Sequence, residues 1–211
     1  MYVLVTGASG FVGRALCSAL QAHGHKVRAA VRSMDSILSA DLSDVFVVGN
    51  IDALTSWSAA LTGVDCIIHC AAPTHAMQEI EGDLLAKYWS VNVAGTQRLA
   101  EQAAVSGVRR FIYLSSIKVN GEETVLGVPF CMNGSLGDCA FLDDEGRGKQ
   151  TMNPESVYGE FKWKAEQMLW KVSAQTGLDL VVVRPPLVYG QGVRGNLLRL
   201  LHWVWQGVPI P

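Results

Sequence analysis

The chain opens on the apolar run Tyr2-Val3-Leu4-Val5-Thr6, turns through Gly7-Ala8-Ser9-Gly10-Phe11-Val12-Gly13, and continues in an amphipathic helical pattern. This alternation repeats along the sequence. Apolar runs predict strands at about 2–6, 26–31, 45–48, 64–70, 109–115 and 178–183. Helical periodicity predicts helices near 11–23, 53–61, 82–106, 157–175 and 195–206. The consecutive apolar residues from Val64 to Cys70 imply a strand buried on both faces. Strand–helix alternation of this kind makes an α/β fold, with a doubly wound parallel sheet and helices on both faces. No repeat or low-complexity tract interrupts the pattern.

Composition narrows the class. The 211 residues are 49% hydrophobic and 17% charged, which suits a well-buried core and argues against disorder. A formal charge of −2 gives no basic field for nucleic acid or an anionic membrane. No apolar run reaches the ~20 residues that span a bilayer. The N-terminus runs directly into a core strand, so no signal peptide is expected. The cysteines (Cys17, Cys66, Cys70, Cys131 and Cys139) are odd in number and no pair has CxxC spacing. All five are read as reduced, which places the protein in the cytoplasm. The histidines show no metal-ligand spacing.

Two regions break the alternation. Gly121 to Pro154 is rich in Gly, Asp, Glu and Asn and lacks periodicity. A loop of this length is either a substrate-side lid or an insertion with no role. After the apolar helix carrying Trp203 and Trp205, the chain stops at Pro211. Those aromatics need something to pack against, so a fragment of a longer protein is expected.

The candidate chemistry lies at strand ends. In the turn after the first strand, Gly7 allows dihedrals a side chain forbids. Gly10 admits a pyrophosphate, and Gly13 lets helix and strand pack closely. The helix then points its positive end at bound phosphates. Tyr158 and Lys162, four residues apart, share one helical face. A free phenol titrates near ~10, and a nearby ammonium lowers that value toward useful acid–base chemistry. Ser115 and Ser116 end the fifth strand, where open α/β sheets bind ligands. Ser116 is the candidate for holding the substrate oxygen, and Ser115 is read as structural.

These pieces, with His69-Cys70-Ala71-Ala72, Val91-Asn92-Val93-Ala94-Gly95-Thr96 and Arg184-Pro185-Pro186-Leu187-Val188-Tyr189-Gly190, occur in one order. The chain resembles the extended short-chain dehydrogenase/reductases, in their nucleotide-sugar epimerase/dehydratase branch. Ser115-Ser116-Ile117-Lys118-Val119-Asn120-Gly121 is similar to bacterial enzymes that make amino-deoxy sugars for surface polysaccharides. The resemblance implies a Rossmann-type NAD(P)-binding domain over 1–183. Residues 184–211 would begin a substrate-binding lobe, most of which is absent. It implies catalytic roles for Ser116, Tyr158 and Lys162. It assigns cofactor binding to Gly7, Gly10, Phe11, Val12, Gly13, Asn50, Ile51, Ala71, Ala72, Asn92, Pro185 and Leu187, together with Tyr158 and Lys162. Substrate would meet Ser116 and Asn196.

One departure bears on the cofactor. NAD-preferring members carry an acid after the second strand to bind the ribose 2′-hydroxyl. Here that place reads Ala30-Val31-Arg32-Ser33. Arg32 either holds a 2′-phosphate, which favours NADP(H) over NAD(H), or stacks on adenine. The reaction that the resemblance implies is hydride transfer at C4 of a UDP-sugar, leaning to a 4-ketoreductase, with a UDP-hexose or UDP-N-acetylhexosamine 4-epimerase as the alternative. A non-catalytic dinucleotide-sensing module is the reading from another class. The resemblance also implies a homodimer through helices 82–106 and 157–175. Alternatively, a C-terminal lobe covers Trp163 and Trp170.

Overall fold

The structure is a computed structural model and describes residues 1–36, 42–73, 82–123, 154–193 and 196–207. Six parallel strands form one sheet: β1 (Tyr2–Thr6), β2 (Lys26–Val31), β3 (Val45–Val47), β4 (Cys66–His69), β5 (Arg110–Leu114) and β6 (Asp179–Val183). Their spatial order is β3-β2-β1-β4-β5-β6. The chain therefore reverses direction across the sheet between β1 and β4, which opens a crevice at their carboxyl ends.

Alternation along each strand feeds two cores. Val3 and Val5 pack with Cys17 of helix α1 (Phe11–Ala22), and with Val27, Ala29 and Cys66. Leu4, Ile67, Phe111 and Tyr113 point to the opposite face. There they meet Leu99 of α4 (Thr96–Val105) and Ala165, Leu169 and Val172 of α5 (Val157–Thr176). Helices thus cover both faces, as the sequence pattern predicts. Helix α5 begins where the Ser156 hydroxyl accepts from the Gly159 N–H at 3.2 Å, and ends at Gly177 in the left-handed region.

Two helix expectations are corrected. The helix expected at 53–61 shrinks to α2 (Ser58–Leu61). Polar side chains take the backbone upstream: Asp52 accepts from the Leu54 N–H at 2.8 Å, and Thr55 Oγ1 accepts from the Asp52 N–H at 2.9 Å. The single helix expected at 82–106 is α3 (Gly82–Trp89), a π-helical turn at Ser90–Gly95, and α4. At that turn the Gly95 backbone comes so close to Ile51 that a Cβ would lie 2.6 Å from its Cγ2. The last helix, α6 (Asn196–Trp205), falls where the periodicity put it. The expected lid at 121–154 lies outside the described residues except at its edges, as do Cys131 and Cys139. Cys17, Cys66 and Cys70 are free thiols.

Candidate active site

Two adjoining cavities occupy the carboxyl edge of the sheet. The smaller, about 400 Å³, lies over β1, β2 and β4. Arg32, Asn50, Ile51, Ala71 and Ala72 line it, together with Gly7 and Gly10. The larger, about 770 Å³, is lined by Phe11, Val12, Gly13, Ser116, Tyr158, Lys162 and Pro185. Gly7, Gly10, Arg32, Cys70 and Tyr88 face both.

The glycine turn is built by close approach. Gly7 has φ +64°, and a Cβ there would lie 2.8 Å from the Ala71 nitrogen. A Cβ on Gly13 would come within 2.1 Å of the Gly7 carbonyl oxygen. Only glycine lets α1 start against β1 and leaves the concave backbone edge open. That cradle has the shape that backbone N–H groups offer a diphosphate. Its electrostatics agree: the described lining contains Arg14, Arg32 and Lys162 and no Asp or Glu. The residues present fit a pyridine dinucleotide.

On the other wall, Ser116 caps the short turn Ile117–Val119, its hydroxyl accepting from the Lys118 N–H at 3.3 Å. Gly159, beside Tyr158, allows this turn to press on α5, since a Cβ there would sit 2.5 Å from the Lys118 carbonyl oxygen. Lys162 is buried and donates to the Leu114 carbonyl at 2.7 Å. Its ammonium lies 5.8 Å from the Tyr158 ring centre and 4.7 Å from that of Tyr113.

Burial dominates the ionisation of this wall. It pushes the Tyr158 phenol up to about 12, the reverse of the lowering expected from Lys162. The same desolvation brings Lys162 down to about 8, opposed by Cys70 and Glu166. Without ligand, Tyr158 is therefore a proton holder. His69 at the end of β4 is neutral, forced down to about 3 by burial and then by Lys162. Its ring bridges Thr6 Oγ1 at 2.7 Å and Thr96 Oγ1 at 2.9 Å, tying β1 and β4 to α4.

Some expected site residues fall elsewhere. Leu187 is 65% exposed and lines neither cavity; Val188 faces the larger one instead. Asn92 is 2% exposed and on neither wall, and its side-chain amide makes no hydrogen bond among the described residues. It belongs to the π-helical turn, whose altered register the α-helical pattern did not foresee. Asn196 is the first residue of α6. Sequence reasoning missed Arg14, Cys70 and Tyr88 as wall residues. Arg14 was legible, because it follows Gly13 directly. Cys70 was placed inside a strand that in fact ends at His69.

Comparison with known proteins gives this geometry a family. Residues 3–204 match the model of the NAD dependent epimerase/dehydratase family. The chain belongs to that family. A UDP-glucose 4-epimerase of Vibrio cholerae is 38% identical over 210 residues, covering 99% of this chain and 58% of that protein. A 3-beta-hydroxysteroid dehydrogenase of Mycolicibacterium neoaurum is 33% identical over 192 residues, covering 90% of this chain and 48% of that protein. The UDP-glucuronic acid 4-epimerase of Bacillus cereus, solved with UDP-glucuronic acid and NAD, superposes with a TM-score of 0.75 at 25% identity. That match covers 99% of this chain and 64% of the solved one. The chain thus spans about half to two thirds of the length of these family members. The Rossmann-type fold is shared, and no described helix is long and apolar enough to cross a membrane.

Proposed function

We propose that this chain is the dinucleotide-binding part of a nucleotide-sugar oxidoreductase acting at C4 of a UDP-sugar, working as a 4-ketoreductase with NADPH. The observation that carries the reading is the larger cavity, where the glycine cradle faces Ser116, Tyr158 and Lys162 across one space. When bound, the nicotinamide supplies a hydride to the carbonyl carbon. Tyr158 gives its phenolic proton to the oxygen, so ketone plus hydride plus proton becomes alcohol. Burial keeps Tyr158 protonated, the state from which this transfer starts. Ser116 orients the same oxygen by hydrogen bonding. Lys162 binds the ribose and stabilises the phenolate left after transfer. Arg32, in a lining without carboxylates among the described residues, offers a fork of donors to a 2′-phosphate.

The second reading is a 4-epimerase, favoured by the relatives from Vibrio cholerae and Bacillus cereus. There Tyr158 first takes the C4 hydroxyl proton, and later returns it after the sugar has turned over. Cofactor handling separates the two. Denaturing purified protein and identifying the released dinucleotide, with NADPH and NADH titrations alongside, is the test. An empty site with tighter binding of NADPH than NADH supports the reductase. Stoichiometric retained NAD⁺ with no preference for NADPH refutes it in favour of the epimerase.

A homodimer through α3, α4 and α5 is part of this proposal. Trp89 on α3 and Trp170 on α5 are 41% and 50% exposed, more apolar surface than a lone monomer usually leaves open. Trp163 is half-buried, with the Arg184 guanidinium 6.0 Å from its ring centre. Trp170→Glu should convert a dimer to monomers in sedimentation velocity; an unchanged dimer removes this face as the contact.

A further inference from the structure

Helix α5 carries Tyr158, Lys162 and Glu166 at successive turns. The third is a carboxylate with 0% exposure. Its Oε1 accepts from the Ser115 hydroxyl at 2.5 Å and from Arg184 Nε at 3.0 Å. Its Oε2 accepts from the second arm of the same guanidinium at 2.5 Å. Burying such a charge is costly, and a well-packed apolar residue often serves stability equally well. The pair therefore calls for a reason beyond holding the fold.

The partners supply it. Ser115 lines the larger cavity beside Ser116, and Arg184 precedes Pro185, which lines it too. The two strand ends are also zipped together, Ser115 N–H to the Val183 carbonyl at 2.8 Å and Ile117 N–H to the Pro185 carbonyl at 3.1 Å. We infer that Glu166 is a positioning residue: through Ser115 and Arg184 it fixes the ends of β5 and β6 against α5, and its negative charge balances Lys162 one turn away. This rests on the functional reading above.

Among the other groups facing Lys162, Cys70 also opposes its lowering, but none of them carries a negative charge where Lys162 titrates, at about 8. His69 and Cys70 come from the end of β4, Tyr113 from β5, and Tyr158 from α5 itself. His69 is held neutral near about 3, the Cys70 thiol is raised to about 11, and both phenols are raised by burial. Arg184, paired with Glu166, adds a positive charge. Glu166 is the one carboxylate in the set.

The test reads Lys162 directly, with no substrate needed. The 13Cε resonance of Lys162, assigned by its loss in Lys162→Arg, is titrated in the wild type, Glu166→Gln and Glu166→Asp. Glu166→Gln is expected to lower the midpoint by about one pH unit, and Glu166→Asp to restore most of it. An unmoved midpoint in folded Glu166→Gln overturns the proposal. Should that variant fail to fold, Ser115→Ala probes the positional link. Its kcat is expected to fall about tenfold with NADPH affinity unchanged, and wild-type kcat overturns the link. If the wild type itself turns over no 4-keto or 4-hydroxy sugar nucleotide, the functional reading fails, and the Lys162 titration still decides the role of Glu166.

Discussion

The two walls of the site are made of different material. The wall that carries the glycine turn is backbone and very small side chains: Gly7, Gly10, Gly13, Ala71 and Ala72. The opposite wall is side-chain chemistry, with Ser115, Ser116, Tyr158 and Lys162 on the lining and Glu166 and Arg184 behind it. The first wall works by leaving atoms out, since a single Cβ at Gly13 would strike the Gly7–Ala8 backbone and push α1 off β1. The second works by placing polar atoms in a dry environment, where each must be paired. A change on the first wall should therefore act on binding, and a change on the second on turnover.

The largest expected effect is on the second wall. Tyr158→Phe removes the transferable proton and should lower kcat by about 10³-fold with NADPH affinity within about twofold. Steady-state kinetics beside a fluorescence titration would show it, and near-normal turnover would remove Tyr158 from acid–base work. On the first wall, Gly13→Ala should show the opposite split. Overpacking of about 1–3 kcal/mol where α1 starts against β1 should weaken dinucleotide binding about 5- to 150-fold. Retained affinity for both dinucleotides would mean that the turn can shift at no cost.

Arg32→Ala sharpens the contrast within the first wall. It should weaken NADPH about tenfold and leave NADH within about twofold, the loss of a charge-assisted hydrogen bond. Equal weakening of both would make Arg32 an adenine-stacking residue instead. The smallest effect falls on neither wall but between them, at His69. Its folded pKa is about 3 against an ordinary 6.5, so the unfolded chain binds the extra proton between these values. Stability should be unaffected by this group above pH 6.5 and decline as pH falls toward 3, with a slope approaching one proton. Urea unfolding across that range should lose this component in His69→Gln. A wild-type curve with the same pH dependence as the variant would contradict a buried neutral His69.

The sequence by itself pointed to the first wall, to the sheet, and to the trio Ser116, Tyr158 and Lys162 that lines the second wall. The glycine turn is local: a strand, a turn with positive φ and a helix start follow from consecutive residues, so the chain spells them out. Strand–helix alternation fixes a doubly wound sheet for the same reason, because each apolar run must be buried on both faces. Only the tertiary structure decided what those residues face. Tyr158 and Lys162 share a helix turn in the sequence, yet burial against β4 and β5 drives both toward neutrality, which spacing alone does not reveal. Ser115, Glu166 and Arg184 lie far apart along the chain and become one buried cluster where α5 crosses the ends of β5 and β6. The break of the long helix into α3, a π-helical turn and α4 was equally hidden, as was the exposure of Leu187. Periodicity reports which face of an element is apolar; pairing and desolvation arise only when distant elements meet.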